Sequence, residues 1–283
     1  MADVLHGVDE MKAFAHAQRA GGRRVALVPT MGFLHQGHLS LIREGRRRAD
    51  AVVTSIFVNP TQFGPKEDLS RYPRDLEGDL AKCWSAGADV VFAPTAEQIY
   101  PAGFQTFVDV TEVSQGLCGA RRPGHFRGVA TVVTKLFTLV MPHVALFGEK
   151  DFQQLQVIRA LNRDLHLGAE VVGMPTVREA DGLAMSSRNS YLGPGDRRRA
   201  LALSRGLFAA QRLAGQGVAD AAALTGRVRQ ELQAEQLKED YVELVDANTL
   251  RSISSAIRGT PARLLVAAYV GTTRLIDNVA VEA

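Results

Sequence analysis

Two histidines three residues apart have the types and spacing to bind an anion. His35 and His38 lie in the segment PTMGFLHQGH, residues 29–38, which follows an apolar run and opens a helical pattern. In a parallel sheet this position is the carboxyl edge, where ligands bind, and a helix N-terminus favours anions. Paired imidazoles there suit phosphate oxygens, above all when charge develops in a transition state. Two structural histidines at a helix start are an alternative, as is zinc, although no third ligand lies nearby in the sequence.

A second polar segment, FGEKDFQQ at residues 147–154, also follows an apolar run and opens a helical pattern. Lys150 can reach phosphates, and Asp151 can reach Mg²⁺ or a ribose hydroxyl. Gln154 comes about one helical turn after Lys150, on the same face. An ordinary charged helix start, capped by Asp151, explains this segment equally well when it is taken alone.

Two neutral amides follow another apolar run, in the segment FVNPTQFG at residues 57–64. Asn59 and Gln62 could recognise hydroxyl groups or a carboxylate without adding charge to a site. Turn formation around Asn59 and Pro60 is an alternative for Asn59, but it explains Gln62 less well.

A polar loop, READGLAMSSRNS at residues 178–190, carries a further set of donors. Ser186, Ser187 and Arg188 together make a donor cluster that suits a phosphate. A solvated loop between two domains is the alternative interpretation, because such loops are commonly polar and contain glycine.

Strands and helices alternate through the first part of the chain, and they must position these residues. This alternation predicts an α/β fold with a Rossmann-like parallel sheet. The predicted strands are 25–28, 51–58, 89–93, 106–110, 143–147 and 170–172. One predicted helix begins near His35 and continues past Arg43. The others cover 73–86, 128–141 and 151–165.

After residue 175 the pattern changes to two helices, 200–213 and 219–237, followed by strands 241–245, 263–270 and 275–276. Helices followed by neighbouring strands indicate a smaller α+β unit. The sequence therefore predicts a nucleotide- and substrate-binding domain over 1–175 and an α+β lid domain over 176–283.

The composition is that of a soluble globular chain: 283 residues, 46% hydrophobic, 22% charged and a net charge of +3. The small positive excess suits anionic small-molecule substrates, and the arginine runs at 46–48 and 197–199 fall in predicted helices. We therefore expect no nucleic-acid partner. No signal-peptide pattern or membrane-length apolar run is present. Cys83 and Cys118 are expected to be free thiols in the cytoplasm.

Five motifs, taken in order, closely resemble the pantothenate synthetase (pantoate–β-alanine ligase) family. They are PTMG-x-LH-x-GH, FVNP-x-QF, RPGHFRGV, FGEKD-x-QQL and VREADGLAMSSRN, and they span most of 25–192. This family is one of the HIGH-type nucleotidyl transferases, with residues 35–38 as the HIGH element and 185–188 as the second signature. Gln36 stands where the family often has Glu, at a position expected to face solvent. Phe152 stands where the family often has Tyr.

The resemblance implies that pantoate attacks the α-phosphate of Mg²⁺-ATP, and that β-alanine then attacks the pantoyl adenylate. It implies catalytic roles for His38, His35 and Lys150, pantoate binding by Gln62 and Gln154, β-alanine binding by Gln62, and a homodimer. Asn59, Tyr72 and Arg122 would support the site. The residues that the resemblance assigns to ATP are Met31, Gly32, Phe33, Leu34, His35, Gln36, Gly37, His38, Gly148, Glu149, Lys150, Asp151, Val177, Met185, Ser186, Ser187 and Arg188.

Two other functions stay open at this point. One is a HIGH-type nucleotidyltransferase that stops at an activated product, and the other is a non-catalytic nucleotide sensor. We also expect the loop at residues 181–189 to have few partners without ATP and to close when ATP supplies them.

Overall fold

Six parallel strands form the sheet of unit 1, the first of two units into which the chain divides in the computed structural model. The structure describes residues 3–65 and 67–282. Among these residues, unit 1 comprises the parts of the chain before 115 and within 122–149 and 154–175, and unit 2 comprises 115–121, 150–153 and everything from 176 onward. The main division therefore falls after Pro175, and two short segments of the first part of the chain belong to unit 2.

The strands of both units follow runs of β-branched and aliphatic residues. They are β1 (Asp3–Leu5), β2 (Val25–Thr30), β3 (Ala51–Ile56), β4 (Val90–Phe92), β5 (Val144–Gly148), β6 (Glu170–Met174), β7 (Lys238–Asp246), β8 (Ala262–Val270) and β9 (Thr273–Val281). The helices are α1 (Val8–Ala20), α2 (Gln36–Arg48), α3 (Leu76–Ala86), α4 (Ala96–Ile99), α5 (Leu117–Arg121), α6 (His125–Val140), α7 (Phe152–Asp164), α8 (Pro194–Arg199), α9 (Leu201–Gly215) and α10 (Ala221–Ala234).

The sheet of unit 1 has the order β1-β4-β3-β2-β5-β6, with every neighbouring pair parallel. Both of its faces are covered, which is why its inner strands β2, β4 and β5 are mostly apolar. Ala26, Val52 and Leu146 lie in one core with residues of α2 and α3. The alternate residues Val25 and Leu27 are equally buried, and β2 also contacts α1 and α6.

The strand order places a topological switch point between β2 and β5. From β2 the chain runs through α2 to β3 on one side, and from β5 it runs through α7 to β6 on the other. Ligands of open α/β sheets bind beyond the carboxyl ends of the strands at such a point. The segments that leave β2 and β5 are the two that the sequence analysis selected first.

Unit 2 has a three-stranded antiparallel sheet with the order β7-β8-β9. Two helices, α9 and α10, pack on it. Their apolar residues, including Leu207 and Leu224, share one core with Leu264 and Val266 of β8. The α+β pattern predicted for this part of the chain is confirmed. Its strands β7 and β9 are longer than predicted, because they extend into charged residues such as Lys238, Glu239 and Arg274, which the apolar pattern did not include.

The strand predicted at 106–110 is wrong, because this segment forms no ladder. It lies on α6 instead: the Val108 N–H donates to Thr131 Oγ1 at 3.0 Å. The guanidinium of Arg127 lies 4.2 Å from the centre of the Phe107 ring. These contacts place an alternating sequence on a helix rather than on the sheet.

The helix predicted from residue 73 starts later, at Leu76. Asp75 is its N-cap, and the carboxylate accepts a hydrogen bond from the Gly78 N–H at 3.0 Å. An aspartate that satisfies a first-turn N–H sets the start of a helix more strongly than a proline nearby. The sequence analysis also did not identify β1, α1 and the short helices α4, α5 and α8.

Candidate active site

The side chains of His35 and His38 accept hydrogen bonds from backbone N–H groups at the N-terminus of α2. His35 is the N-cap, and its Nδ1 accepts from the Gly37 N–H at 3.2 Å. His38 Nδ1 accepts from the His35 N–H at 3.3 Å, and the two rings lie 4.1 Å apart. Because both Nδ1 atoms accept, each neutral ring carries its proton on Nε2. The two Nε2 atoms are therefore the donors that phosphate oxygens require. Gln36 is exposed, as predicted.

Asp79 holds the loop that precedes these histidines. Its carboxylate is 1% exposed and accepts from the N–H groups of Phe33 and Leu34 at 2.6 and 2.7 Å. The loop needs this anchor because Gly32 and Phe33 both have positive φ angles, 82° and 52°. Asp79 could not be identified from the sequence, since the helix dipole makes a carboxylate in the first turn of a helix ordinary.

Gln62 joins the segment 57–64 to the segment 29–38, which carries the two histidines. Its Nε2 donates to Met31 Sδ at 3.0 Å, and its Oε1 accepts from Asn59 Nδ2 at 3.1 Å. Asn59 is 1% exposed and caps the 3-10 turn Pro60–Gln62. The structure thus places a neutral amide next to the loop that leads to the histidines.

The motif RPGHFRGV holds the main chain of Gln62. Arg122 makes a bidentate ion pair with Glu67 at 2.6 and 2.7 Å and also donates to the Gln62 carbonyl at 3.3 Å. His125 Nδ1 donates to the same carbonyl at 2.9 Å, which leaves its Nε2 to accept from Arg122 at 3.0 Å. Burial opposes ionisation of Glu67, but the Arg122 guanidinium outweighs it and lowers the pKa of this carboxyl. Arg122 and His125 thus both hold the Gln62 carbonyl, and Glu67 holds Arg122.

Gly128 in the same motif allows close contact between α6 and the turn that carries Gln62. A Cβ at Gly128 would lie 2.7 Å from the Gln62 nitrogen and would overlap the Thr61 carbonyl. We expect Gly128→Ala to lower the free energy of unfolding by about 1–3 kcal/mol, measured by urea denaturation.

Gly226 in α10 is the matched control, because a Cβ there would meet nothing within 4 Å. Gly226→Ala should raise stability by about 0.5–1 kcal/mol, as alanine favours a helix interior. Equal stabilities of the two variants would contradict the close contact described for Gly128.

The other predicted residues of unit 1 lie near the ends of its elements. Tyr72 is buried, with its ring 5.9 Å from the Phe63 ring, next to Gln62 in the chain. Gly148 ends β5, Glu149 follows in a 3-10 turn, and Gln154 is a half-buried residue in the first turn of α7.

In unit 2, the segment 150–153 is held by the antiparallel sheet. The Lys150 carbonyl accepts from Asn278 Nδ2 at 2.9 Å, and Lys150 Nζ lies 3.9 Å from the Asp151 carboxylate. The Phe152 ring is buried under the Arg263 guanidinium, 4.2 Å from the ring centre. The residue that departs from the family pattern thus makes a cation–π contact.

The loop at residues 181–189 is well anchored in unit 2, so the expectation that few partners hold it is wrong. Arg178, just before it, makes a bidentate ion pair with buried Asp277 at 2.6 and 2.9 Å. Arg197 Nη2 lies 2.8 Å from both Glu179 and Asp181. The hydrogen bond from Arg197 lowers the pKa of Asp181. These partners come from distant parts of the sequence, which local composition does not reveal.

Val177 and Met185 lie side by side, because the Met185 N–H donates to the Val177 carbonyl at 3.0 Å. The Met185 N–H is therefore already used within unit 2. Ser186 caps the 3-10 helix Ser187–Tyr191, accepting from the Arg188 N–H at 3.3 Å. Its hydroxyl proton can still be donated to a ligand.

The described part of the chain holds no cluster of three or more His, Cys, Asp or Glu side chains that could bind a metal ion. The zinc alternative for the histidines therefore lacks a ligand set among these residues.

Both cysteines are free thiols. Burial raises the pKa of Cys83 to about 12, so this thiol is not a nucleophile. Within 3–65 and 67–282, no helix is both long and apolar enough to span a bilayer.

Comparison with known proteins agrees with the motifs. The family model described as pantoate–β-alanine ligase matches residues 3–280. A pantothenate synthetase from Myxococcus xanthus is 71% identical over 276 residues, which are 97% of this chain and 94% of the relative.

Solved structures of the same family have the same fold. Pantothenate synthetase from Thermus thermophilus superposes with a TM-score of 0.93 at 47% identity, over the full length of both chains. A pantoate–β-alanine ligase from Francisella tularensis, solved with β-γ ATP and β-alanine, superposes with a TM-score of 0.83 at 30% identity, covering 99% of this chain and 97% of that one. The resemblance predicted from the sequence is confirmed, and the chain belongs to the pantoate–β-alanine ligase family.

Proposed function

We propose that the chain joins pantoate to β-alanine with ATP, through a pantoyl adenylate, and releases AMP and pyrophosphate. The observation that carries this proposal is the pair of Nε2–H donors on His35 and His38, next to a loop that also contacts Gln62. The donors suit the phosphates of ATP, and the amide suits the hydroxyl or carboxylate oxygens of pantoate. The Francisella relative, solved with β-γ ATP and β-alanine, supports ATP as the co-substrate.

In the first step, a pantoate carboxylate oxygen attacks the α-phosphorus of ATP, and the bond to pyrophosphate breaks. The carboxylate is ionised near neutral pH, so this step needs no proton transfer. It needs donors that stabilise the negative charge developing on the phosphate oxygens. His35 and His38 meet this need as neutral donors. Their Nδ1 atoms already accept backbone N–H groups, so we assign His38 charge stabilisation rather than proton donation.

In the second step, the uncharged amine of β-alanine attacks the carbonyl carbon of the adenylate, AMP leaves with the bridging oxygen as the C–O bond breaks, and the nitrogen gives one proton to solvent as the amide forms. Gln62 and Gln154 hold pantoate in both steps, and Gln62 also contacts β-alanine. Gln62 can do this because its turn is fixed by Asn59 and Arg122. Holding the two reactants in place supplies most of what this step requires, since the adenylate is already activated.

The family pattern implies a further set of residues that bind the phosphates and nucleoside of ATP. Lys150, Ser187 and Arg188 supply further positive charge or hydrogen-bond donors. The full proposed set is Met31, Gly32, Phe33, Leu34, His35, Gln36, Gly37, His38, Gly148, Glu149, Lys150, Asp151, Val177, Met185, Ser186, Ser187 and Arg188. The domain predicted over 176–283 would act as a lid, and the enzyme would be a cytoplasmic homodimer, which light scattering and cell fractionation test.

Magnesium fits this site only as an ion carried mainly by ATP. No cluster of three ligands is found among the described residues. Mg²⁺ commonly binds through one or two carboxylates together with substrate phosphates and water. Asp151, whose side chain is 48% exposed, can provide one carboxylate. The ion would neutralise charge on the phosphates.

Oxygen-isotope transfer tests the reaction course. With pantoate labelled with ¹⁸O in its carboxylate, one labelled oxygen should appear in AMP, because this oxygen bridges carbon and phosphorus in the adenylate. ADP and phosphate as products, or unlabelled AMP, would contradict the proposal. A nucleotidyltransferase of the alternative kind would release no AMP when β-alanine is added. A nucleotide sensor would turn over neither substrate.

A further inference from the structure

The side-chain amide of Gln62 has two chemically different ends, so its orientation decides what it offers a ligand. Its Oε1 is engaged by Asn59 Nδ2 at 3.1 Å, and its Nε2 contacts Met31 Sδ at 3.0 Å. A thioether sulfur is a weak acceptor, so Nε2 can exchange it for a stronger one. In this orientation Gln62 offers an N–H donor, which suits a carboxylate or hydroxyl oxygen.

Asn59 sets this orientation because its own amide cannot be reversed. Its Oδ1 accepts from Tyr100 Oη at 2.8 Å, from Thr61 Oγ1 at 2.9 Å and from the Thr61 N–H at 3.4 Å. Its Nδ2 donates to Gln62 Oε1 and to the Gly128 carbonyl, both at 3.1 Å. A reversed amide would set an NH₂ group against three donors and an oxygen against two acceptors. Such mismatches are costly for a side chain that is 1% exposed.

We propose that Tyr100 is a positioning residue for the reaction, whose hydroxyl orients Asn59 and, through it, directs the N–H of Gln62 toward pantoate. This rests on the proposed assignment of pantoate to Gln62. The Tyr100 hydroxyl contacts Asn59 and Thr61, so it acts on Gln62 through Asn59. Burial raises the pKa of Tyr100 more than the hydrogen bonds with Thr61 and Asn59 lower it. The hydroxyl therefore stays protonated and can donate.

The variant Tyr100→Phe removes only this hydroxyl. The ring should keep its place, because it packs on Phe57 and Phe104 with centres 6.3 and 5.1 Å away. We expect KM for pantoate to rise roughly threefold to tenfold, the usual effect of one lost hydrogen bond, while KM for ATP stays within about twofold. Thermal melting with the same cooperativity as the unaltered enzyme confirms the fold.

A double-mutant cycle separates positioning from a general structural role. If Tyr100 acts through Gln62, adding Tyr100→Phe to Gln62→Ala should not raise KM for pantoate further. Thr61→Val gives a second test, since it removes another donor to Asn59 Oδ1 together with the hydroxyl that lies 3.1 Å from Tyr100 Oη, and it replaces Tyr100→Phe if that variant does not fold. Tyr269→Phe is the matched control: Tyr269 is a half-buried tyrosine on β8 that lies under Lys238, and its variant should have unchanged kinetics.

The possible outcomes distinguish this inference from the proposed function. If Gln62→Ala leaves KM for pantoate unchanged, the assignment of pantoate to Gln62 fails, and the inference fails with it. If Gln62→Ala raises this KM but Tyr100→Phe and Thr61→Val do not, the inference alone is overturned. Effects of Tyr100→Phe and Gln62→Ala that multiply would also overturn it, because they would show that the two residues act separately.

Discussion

His38→Ala should lower kcat by about 100-fold to 1000-fold, the usual loss when one preorganised donor to a transition state is removed. The ring of His38 accepts from the His35 N–H through Nδ1 and carries its proton on Nε2. Alanine removes both the acceptor of the His35 N–H and the donor. The kcat for AMP formation should fall, while KM for pantoate changes little, because the lost bond strengthens only as charge develops on phosphate.

A second substitution separates the hydrogen bond with the His35 N–H from the proposed catalytic role of Nε2. His38→Asn keeps an oxygen close to the position of Nδ1, where it can accept from the His35 N–H, but it lacks the Nε2 donor. We expect His38→Asn to keep the melting temperature and to lose activity nearly as severely as His38→Ala. His16→Ala, at an exposed position of α1, is the matched control and should be fully active. A folded His38→Asn enzyme with normal turnover would show that the donor is not needed.

Asp79→Asn should have the next largest effect, on both stability and ATP use. Each carboxylate oxygen of Asp79 accepts one backbone N–H, from Phe33 and from Leu34. Asparagine must turn an NH₂ group toward one of these donors, at a position that is 1% exposed. The free energy of unfolding should fall by about 1–3 kcal/mol, the cost of leaving a buried polar group unpaired. The loosened loop should lower kcat/KM for ATP at least tenfold, because small displacements of catalytic groups are costly.

Asp75→Asn is the control for this prediction. Asp75 lies on the same helix as Asp79 but is exposed and serves as its N-cap. Asparagine is as good an N-cap as aspartate, so urea denaturation and ATP kinetics should be almost unchanged. If Asp75→Asn and Asp79→Asn behave alike, the loss comes from α3 in general and not from the anchored loop.

The parallel sheet could be predicted from the sequence because its strands are buried on both faces. Runs such as 25–28 and 144–147 are continuously apolar, and each is followed by polar residues and a helical pattern. This is enough to place His35 and His38 at the carboxyl edge of a sheet. The segment 106–110 shows the limit of the same reasoning, since an alternating pattern also fits a chain that packs on a helix.

The contacts that hold the site could not be predicted, because they join residues that are far apart in the chain. Asp79 reaches a loop 45 and 46 residues earlier, and Arg178 pairs with Asp277 across 99 residues. Nothing local marks either carboxylate as special. The sequence RPGHFRGV was recognised as a motif, but the role of His125 appears only when its ring is seen to donate to the Gln62 carbonyl.

Exchange of labelled pyrophosphate into ATP, measured without β-alanine, tests the central claim most directly. The first step is reversible and does not involve β-alanine, so an enzyme that forms pantoyl adenylate should catalyse the exchange when pantoate is present. Exchange should be absent without pantoate and strongly reduced in His38→Asn. Exchange that requires β-alanine, or that proceeds equally well without pantoate, would contradict direct attack of pantoate on ATP.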